Sequence, residues 1–388
     1  MEETKIYKFS ELCSKIGSGA TPKGGKESYL GGNIALIRSQ NVLDFNFSVD
    51  GLAYINNEQA QKLNNVSIEE NDVLLNITGD SVARACIAPS WILPARVNQH
   101  VAIVRGNADL VLNDYLLYFL QYKKSYLLSI SQGGATRNAL TKKMIEDIEL
   151  LLPNLSHQRK VVSILRSLDS KIELNRRIND NLEQQAQALF KSWFVDFEPF
   201  KDEKFVESQL GMIPKGWKVG TLSDLLDIRY GKDHKKLNDG NIPVYGSGGI
   251  MRLADGILYN GESVLIPRKG TLNNVLYVNW PFWTVDTMFY SIEKVPNVAK
   301  YCHLLLSKLD LASMNSGSAV PSMTTDILNK IQVIVANQDV FSSFNECISS
   351  LYLKAKINLD ENKRLSETRD LLLPKLMSGR LIIKDLHC

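Results

Sequence analysis

Residues 134 to 189 recur 183 positions later, with Gly317 falling over Gly134 and Thr324 over Thr141 (317 − 134 and 324 − 141 both give 183). The same displacement carries Leu168, Ile172, Asn175, Asn179, Leu182, Ala186 and Leu189 onto Leu351, Ala355, Asn358, Asn362, Leu365, Arg369 and Leu372. These positions advance in alternating steps of 4 and 3, the spacing of a helix face turned toward a second helix. Two copies of one unit therefore each end in a long helix, and any fold of this chain has to accommodate the duplication.

Within that seam Asn175 and Asn179 correspond to the same residue type at Asn358 and Asn362. A polar residue in an apolar seam lowers stability but fixes register and partner, so the two helices are expected to pair with each other. Pairing through equivalent helices gives the chain a pseudo-two-fold axis and leaves the rest of each repeat as a separate globular head. A two-headed reader is the arrangement this predicts.

A length of 388 residues exceeds one ordinary core. With 44% apolar and 22% charged residues the chain is globular, and a net charge of +3 permits but does not require a polyanionic partner. The five cysteines are scattered and never in a CxxC spacing, which argues against a disulfide framework or a zinc site and favours a reducing cytoplasm. Met1 to Lys5 offers no apolar leader, and no run approaches the roughly 18 apolar residues of a membrane span. A soluble, cytoplasmic chain is expected.

The pattern from residue 5 to 150 is that of a mixed α/β domain. Ile34 to Ile37, Val73 to Ile77 and Val101 to Val104 read as strands, and Asn113 to Leu128 as a helix. Thr141 can cap a short helix reaching Asp147, with a strand from Glu149 to Leu152 closed by Pro153. The first long helix is expected from Ser156, as N-cap, toward Pro199, about 38 residues or roughly 57 Å. Its last turns, Leu189 to Phe197, gather more large apolar side chains than a free helix end tolerates, so they must bury against the neighbouring domain or another subunit. After a polar connector the pattern restarts: Leu222 to Leu226 echoes Phe9 to Cys13, and Asn241 to Val244 echoes Asn33 to Leu36, at displacements of 213 and 208. The second long helix is expected from Asp339 to Leu373, with Pro374 as a break. The boundaries implied are a head at 1–153, a helix at 154–199, a head at 200–336 and a helix at 337–388.

Catalytic motifs fail one by one. The glycine-rich stretch Gly19 to Lys26 has Ala20 where a phosphate loop needs glycine and Glu27 where it needs Ser or Thr. Gly246 to Gly249 lacks the spacing of a dinucleotide or methyl-donor site. No Pro-Pro dipeptide occurs, so the loop with which amino-methyltransferases hold a flipped base is missing. Asp202-Glu203-Lys204 lies in the polar connector and reads as a solvated charge run, and the five histidines have no HExxH or HxxxH neighbour.

Binding to a duplex needs cations for phosphates, and amide, guanidinium or hydroxyl groups for base edges. The first head offers Arg38, Gln40, Asn41, Thr78, Arg84, Gln99, Thr136, Arg137 and Asn138. The second offers Tyr245, Ser247, Arg252, Arg268, Lys269 and Asn273. The repeat keeps Gly134 and Gly317 but exchanges Arg137 for Val320, as two heads on one scaffold reading different bases would.

An α/β head followed by a long helix, given twice, resembles the specificity subunit of type I restriction-modification enzymes. The likeness extends over essentially the whole chain, and its most specific part is the pair of helix-terminal motifs, Leu189 to Phe197 and Arg369 to Gly379. It implies an α/β (α+β) fold with two target-recognition domains joined by long antiparallel coiled-coil helices. Each domain would read one half of a split, asymmetric site in double-stranded DNA, and the helices would fix the gap and dock two methyltransferase subunits. Phe190, Trp193, Phe194, Phe197, Leu376 and Met377 are the docking candidates. The resemblance further implies a non-catalytic chain, with S-adenosylmethionine, ATP and magnesium chemistry on methyltransferase and restriction/translocase partners. The alternative is a scaffold in which the helix pair carries two protein-binding domains; a single-chain restriction enzyme would need fused nuclease and methyltransferase domains that this length cannot hold.

Overall fold

The computed structural model describes residues 5–21, 29, 31–132, 138–314 and 322–381. The chain divides into two compact units, one formed by Met1–Leu174 with Asp360–Cys388 and the other by Asn175–Leu359. Each unit holds one head and a segment of both long helices.

In the first unit Lys5–Lys8 pairs antiparallel with Glu149–Leu152. A four-stranded antiparallel sheet runs in the order Cys13–Ser18, Val101–Gly106, Val73–Asn76, Ala85–Ile87. A three-stranded sheet orders Ala53–Ile55, Ile34–Ile37 and Ala95–Val97, the last two strands parallel. Alternation explains the unbroken apolar runs. Val73, Leu75, Ala102 and Val104 enter one core while Leu74, Val101 and Ile103 enter the other, so the sheet is covered on both faces. The expected helix over Asn113 to Leu128 is two helices, Asn113–Tyr122 and Lys124–Ser131, divided at Lys123. Thr141 caps as expected, accepting from the Met144 amide at 3.2 Å.

The second unit repeats every one of these sheets. Lys218–Thr221 pairs with Gln332–Val335. The four-stranded order is Leu226–Tyr230, Met288–Glu293, Ser263–Pro267, Leu276–Val278. The three-stranded order is Gly249–Ala254, Ile242–Gly246, Trp283–Thr284, again with one parallel pair. Thr324 caps Thr325–Asn329 by accepting from the Ile327 amide at 3.2 Å, as Thr141 does in the first copy. The duplication therefore covers the heads as well as the helices. Among the described residues the hairpin Phe205–Ser208 with Gly211–Pro214 belongs to the second unit alone.

Both long helices have 40 residues, Leu155–Phe194 and Gln338–Met377, displaced by 183 (338 − 155). The first is capped by Asn154, whose Oδ1 accepts from the His157 amide at 2.9 Å, and not by Ser156. It stops at Phe194, short of Pro199, because Phe197 turns left-handed at φ 54°. The strain is offset by burial of the Phe197 ring, 5.7 Å from Trp217 and 5.8 Å from Phe205 between centroids. Pro374 does not end the second helix, which continues to Met377. It removes one amide in the last turn, where Leu373, Leu376 and Met377 are buried in the first core and hold the helical path. Gly379 at φ 70° then closes the helix.

The aromatic helix end is core. Phe190 and Phe194 are 3% and 2% exposed, and Phe194 lies 4.6 Å from Tyr301 and 4.9 Å from Phe344. Trp193 is half-buried against Phe344 and Phe200. At the same displacement Leu373, Leu376 and Met377 anchor the second helix in the first unit. The expectation that Phe190, Phe194, Phe197, Leu376 and Met377 are displayed for partner docking is thereby corrected, since each is covered by the chain's own head. Apart from Phe197, which Phe205 and Trp217 cover, much of this covering was unreadable in sequence because it comes from residues over 100 positions away, such as Tyr301 and Phe344 against Phe194.

The seam residues Ile172, Asn175 and Asn358 are buried, and Leu168, Asn179, Leu182, Leu189, Leu351, Asn362, Leu365 and Leu372 are half-buried. In the second unit Asn358 Nδ2 donates to Asn179 Oδ1 at 2.8 Å and Asn179 Nδ2 to the Ala355 carbonyl at 3.2 Å. The first unit instead places Arg369 Nη1 2.8 Å from Asp169 Oδ1, with the Tyr118 hydroxyl donating to Oδ2 at 2.7 Å. The Arg369 guanidinium also lies 3.8 Å over the Phe45 ring. In both units rising numbers on the first helix meet falling numbers on the second, so the segments run antiparallel.

Candidate nucleic-acid interface

Strand ends decide where polar side chains gather. In the first head the strands ending at Ile37, Asn76 and Val97 finish together. Asn98 N donates to the Ile37 carbonyl at 3.0 Å, Ile77 N to the His100 carbonyl at 3.0 Å and Leu140 N to the Ile77 carbonyl at 2.8 Å. Asn76, wholly buried, ties the turn after the first strand to the end of its own by donating to the Ser39 and Val42 carbonyls at 2.9 and 3.2 Å. Thr78 Oγ1 and His100 Nδ1 are 2.6 Å apart, Gln99 Nε2 and His100 Nε2 are 3.1 Å apart, and Gly79 N donates to the Asn138 carbonyl at 3.0 Å. Arg38, Thr78, Gln99 and Asn138 thus share one edge. His100 stands on it within the run Asn98-Gln99-His100 that the sequence also offers, whereas Asn76 is a part that sequence reasoning missed; the alternation of a strand marks Asn76 as inward but says nothing of what it holds.

Candidates on and beside this edge also tie loops. Asn41 is 0% exposed, donating to the Ser48 and Asp50 carbonyls at 3.0 and 3.2 Å, so it cannot reach a base and its assignment is corrected. Gln40 Nε2 donates to the Asp50 carbonyl at 2.9 Å. Arg38 Nη2 donates to the Gly51 carbonyl, and its guanidinium lies 5.6 Å over the Tyr29 ring. Arg84 closes the following turn, its carbonyl accepting from Asn76 N at 2.8 Å. Thr136 and Arg137 lie outside the described residues.

The second head repeats the backbone frame bond for bond. Val285 N donates to the Tyr245 carbonyl at 3.0 Å, Arg268 N to the Thr287 carbonyl at 2.8 Å and Met323 N to the Arg268 carbonyl at 2.8 Å. These bonds make Arg268 the counterpart of Ile77, Lys269 of Thr78, Thr287 of His100 and Ser247 of Ser39. Arg38 has Gly246 as its counterpart. The edge is common to both heads, and the side chains on it differ: a cation follows the first strand end in one head and a different strand end in the other.

One assignment in this head is corrected, and two further candidates tie loops. Tyr245 is buried, its hydroxyl accepting from Trp280 Nε1 at 3.2 Å, and burial raises its phenol above the usual range. Arg252 holds a loop through the Leu237 and Asn238 carbonyls at 2.7 and 3.2 Å. Asn273 donates to Asp310 Oδ1 at 3.0 Å and accepts from Ala312 N at 2.9 Å. Ser247, Arg268 and Lys269 remain on the edge. Among the described residues no group of three or more His, Cys, Asp or Glu side chains could hold a metal ion, and no helix is long and apolar enough to cross a membrane.

A family model of the type I restriction modification DNA specificity domain matches residues 1–184 and 214–339. The MjaIX type I restriction enzyme specificity subunit of Methanocaldococcus jannaschii is 28% identical, with 98% of this chain and 94% of that protein aligned. The HindI specificity subunit of Haemophilus influenzae is 25% identical over 90% of this chain and 94% of its own length. A crystal structure of a type I restriction-modification S subunit from M. genitalium has the same fold, with a TM-score of 0.52 at 16% identity, covering 97% of this chain and 96% of that one. The family model spans well over half of the sequence, most of the first long helix included, and the chain belongs to the type I restriction-modification DNA specificity family.

Proposed function

We propose that each head reads one half of a split, asymmetric DNA sequence and that the long helices set the separation of the halves. The chain is the non-catalytic specificity subunit of its system. The observation that carries the half-site reading is the backbone frame shared by the two strand-end edges with different side chains on it, Ile77-Thr78 against Arg268-Lys269. Phosphate contacts position each head, and base-edge contacts along the strand ends specify. Methyl transfer from S-adenosylmethionine and ATP- and magnesium-dependent restriction then fall to partner subunits, two of them methyltransferases held along the helices. The scaffold alternative gains nothing from side chains that differ on an otherwise matched edge.

The test is genome-wide mapping of methylated bases in the source cell with and without this gene. Loss of methylation at one split motif is the expected result and gives both half-sites and the gap. Survival of every motif would refute the reading.

A further inference from the structure

Tyr230 ends the first strand of the second head's four-stranded sheet, and its ring is half exposed. It is braced edge-on by the buried Phe289 at 5.0 Å and carries the Arg268 guanidinium over its face at 5.3 Å. Arg268 Nη1 donates to the Asp286 carbonyl at 3.2 Å. Among the described residues no carboxylate pairs with this arginine, and its Nε–Nη2 edge has no protein acceptor. A ring on one face and a carbonyl at one nitrogen fix the plane of the guanidinium while leaving one two-donor edge open. That edge matches the O6 and N7 acceptors of guanine in the major groove. In the first head the same backbone position is Ile77, while Arg38 gives one nitrogen to Gly51 and buries another, so its edge is less free.

We propose that Arg268 is the guanine-reading residue of the second head and that Tyr230 is its positioning residue. This rests on the half-site reading above and names the base class for one half. Pre-ordering the guanidinium reduces the rotamer entropy lost on binding and penalises bases that present a donor where guanine presents O6.

The experiment uses the complete complex with its modification subunits and a DNA pool randomised across both half-sites, scoring methylation base by base. Arg268→Gln is expected to relax selectivity at a single guanine of one half-site by about 5- to 150-fold, with the other half-site unchanged. Arg268→Lys keeps the charge and is expected to lose that selectivity while retaining phosphate attraction. Tyr230→Leu is expected to weaken it by about 2- to 5-fold, and Tyr230→Phe to restore it. Equal weakening on all sequences, or unchanged selectivity in both Arg268 variants, would overturn the proposal while leaving a split site in place. If the unsubstituted complex selected no split site, the half-site reading itself would fall.

Discussion

The two heads share a strand order, a parallel pair in the same place and matching strand-end hydrogen bonds, yet they differ in what fills equivalent positions. Where the first unit packs Tyr118, Asp169 and Arg369 into one hydrogen-bonded group, the second has Leu304, Tyr352 and Ala186 around a cavity of about 770 Å³. Where the first edge carries Ile77 and Thr78, the second carries Arg268 and Lys269. Backbone geometry is held and side-chain chemistry is free to differ, the division expected of a scaffold that presents interchangeable readers. The helix anchors belong to the held part: Phe190 and Phe194 do in one unit what Leu373 and Met377 do in the other.

The largest effect expected from breaking this comparison is at those anchors. Phe194→Ala should destabilise the second unit by about 3–5 kcal/mol, and Met377→Ala the first by about 2–5 kcal/mol, each leaving the other unit's protection in hydrogen exchange unchanged. Loss of protection in both units from either substitution would show that the anchors are not local.

Next comes an acid response confined to one unit. Burial holds the His303 imidazole down at about 4, with its Nδ1 2.7 Å from the Tyr352 hydroxyl, whereas the first unit has Leu117 in that position. An unfolded chain protonates this group near pH 6.5. The folded state stays neutral where the unfolded state gains a proton, so stability is complete above pH 6.5 and falls toward pH 4, by roughly 3 kcal/mol. Thermal melts of His303→Gln from pH 7 to 4 should lose that part of the acid slope; an unaltered slope would count against it.

The smallest effect sharpens the likeness instead. Thr141→Ala and Thr324→Ala each remove the same cap bond, and each should lower the melting free energy of its own unit by about 1 kcal/mol. Costs differing by more than about 1 kcal/mol would mean the caps are not equivalent.

Sequence made the helices legible and most of the reading edge illegible, for a physical reason. A seam at steps of 3 and 4 tolerates no insertion without turning its face away, so the displacement stays at 183 from Thr141 through Leu189. Loops in the heads tolerate length change: Lys218 lies 213 after Lys5, Ser263 lies 190 after Val73 and Ala299 lies 186 after Asn113, which hides the head repeat from a fixed-displacement comparison. The residues on the edge could be nominated because polar groups follow strands, but Asn41 and Tyr245 look the same in sequence as Arg268 does. Their fates turn on partners such as Ser48 and Trp280, which only the folded backbone brings near. Tyr230 was invisible because its partner lies 38 residues on, at another strand's end.

The most direct test of the account replaces residues 218–335 with a second copy of 5–152, boundaries that coincide with the paired strands closing each head. The long-helix anchors are matched to the new head by Phe190→Leu, Trp193→Leu, Phe194→Met, Phe344→Val and Ile348→Leu. Methylation mapping of cells carrying this chain is predicted to reveal a site whose two halves are both the half-site that the first head reads. Methylation persisting at the original asymmetric site, with its second half intact, would contradict the claim that each head reads its own half.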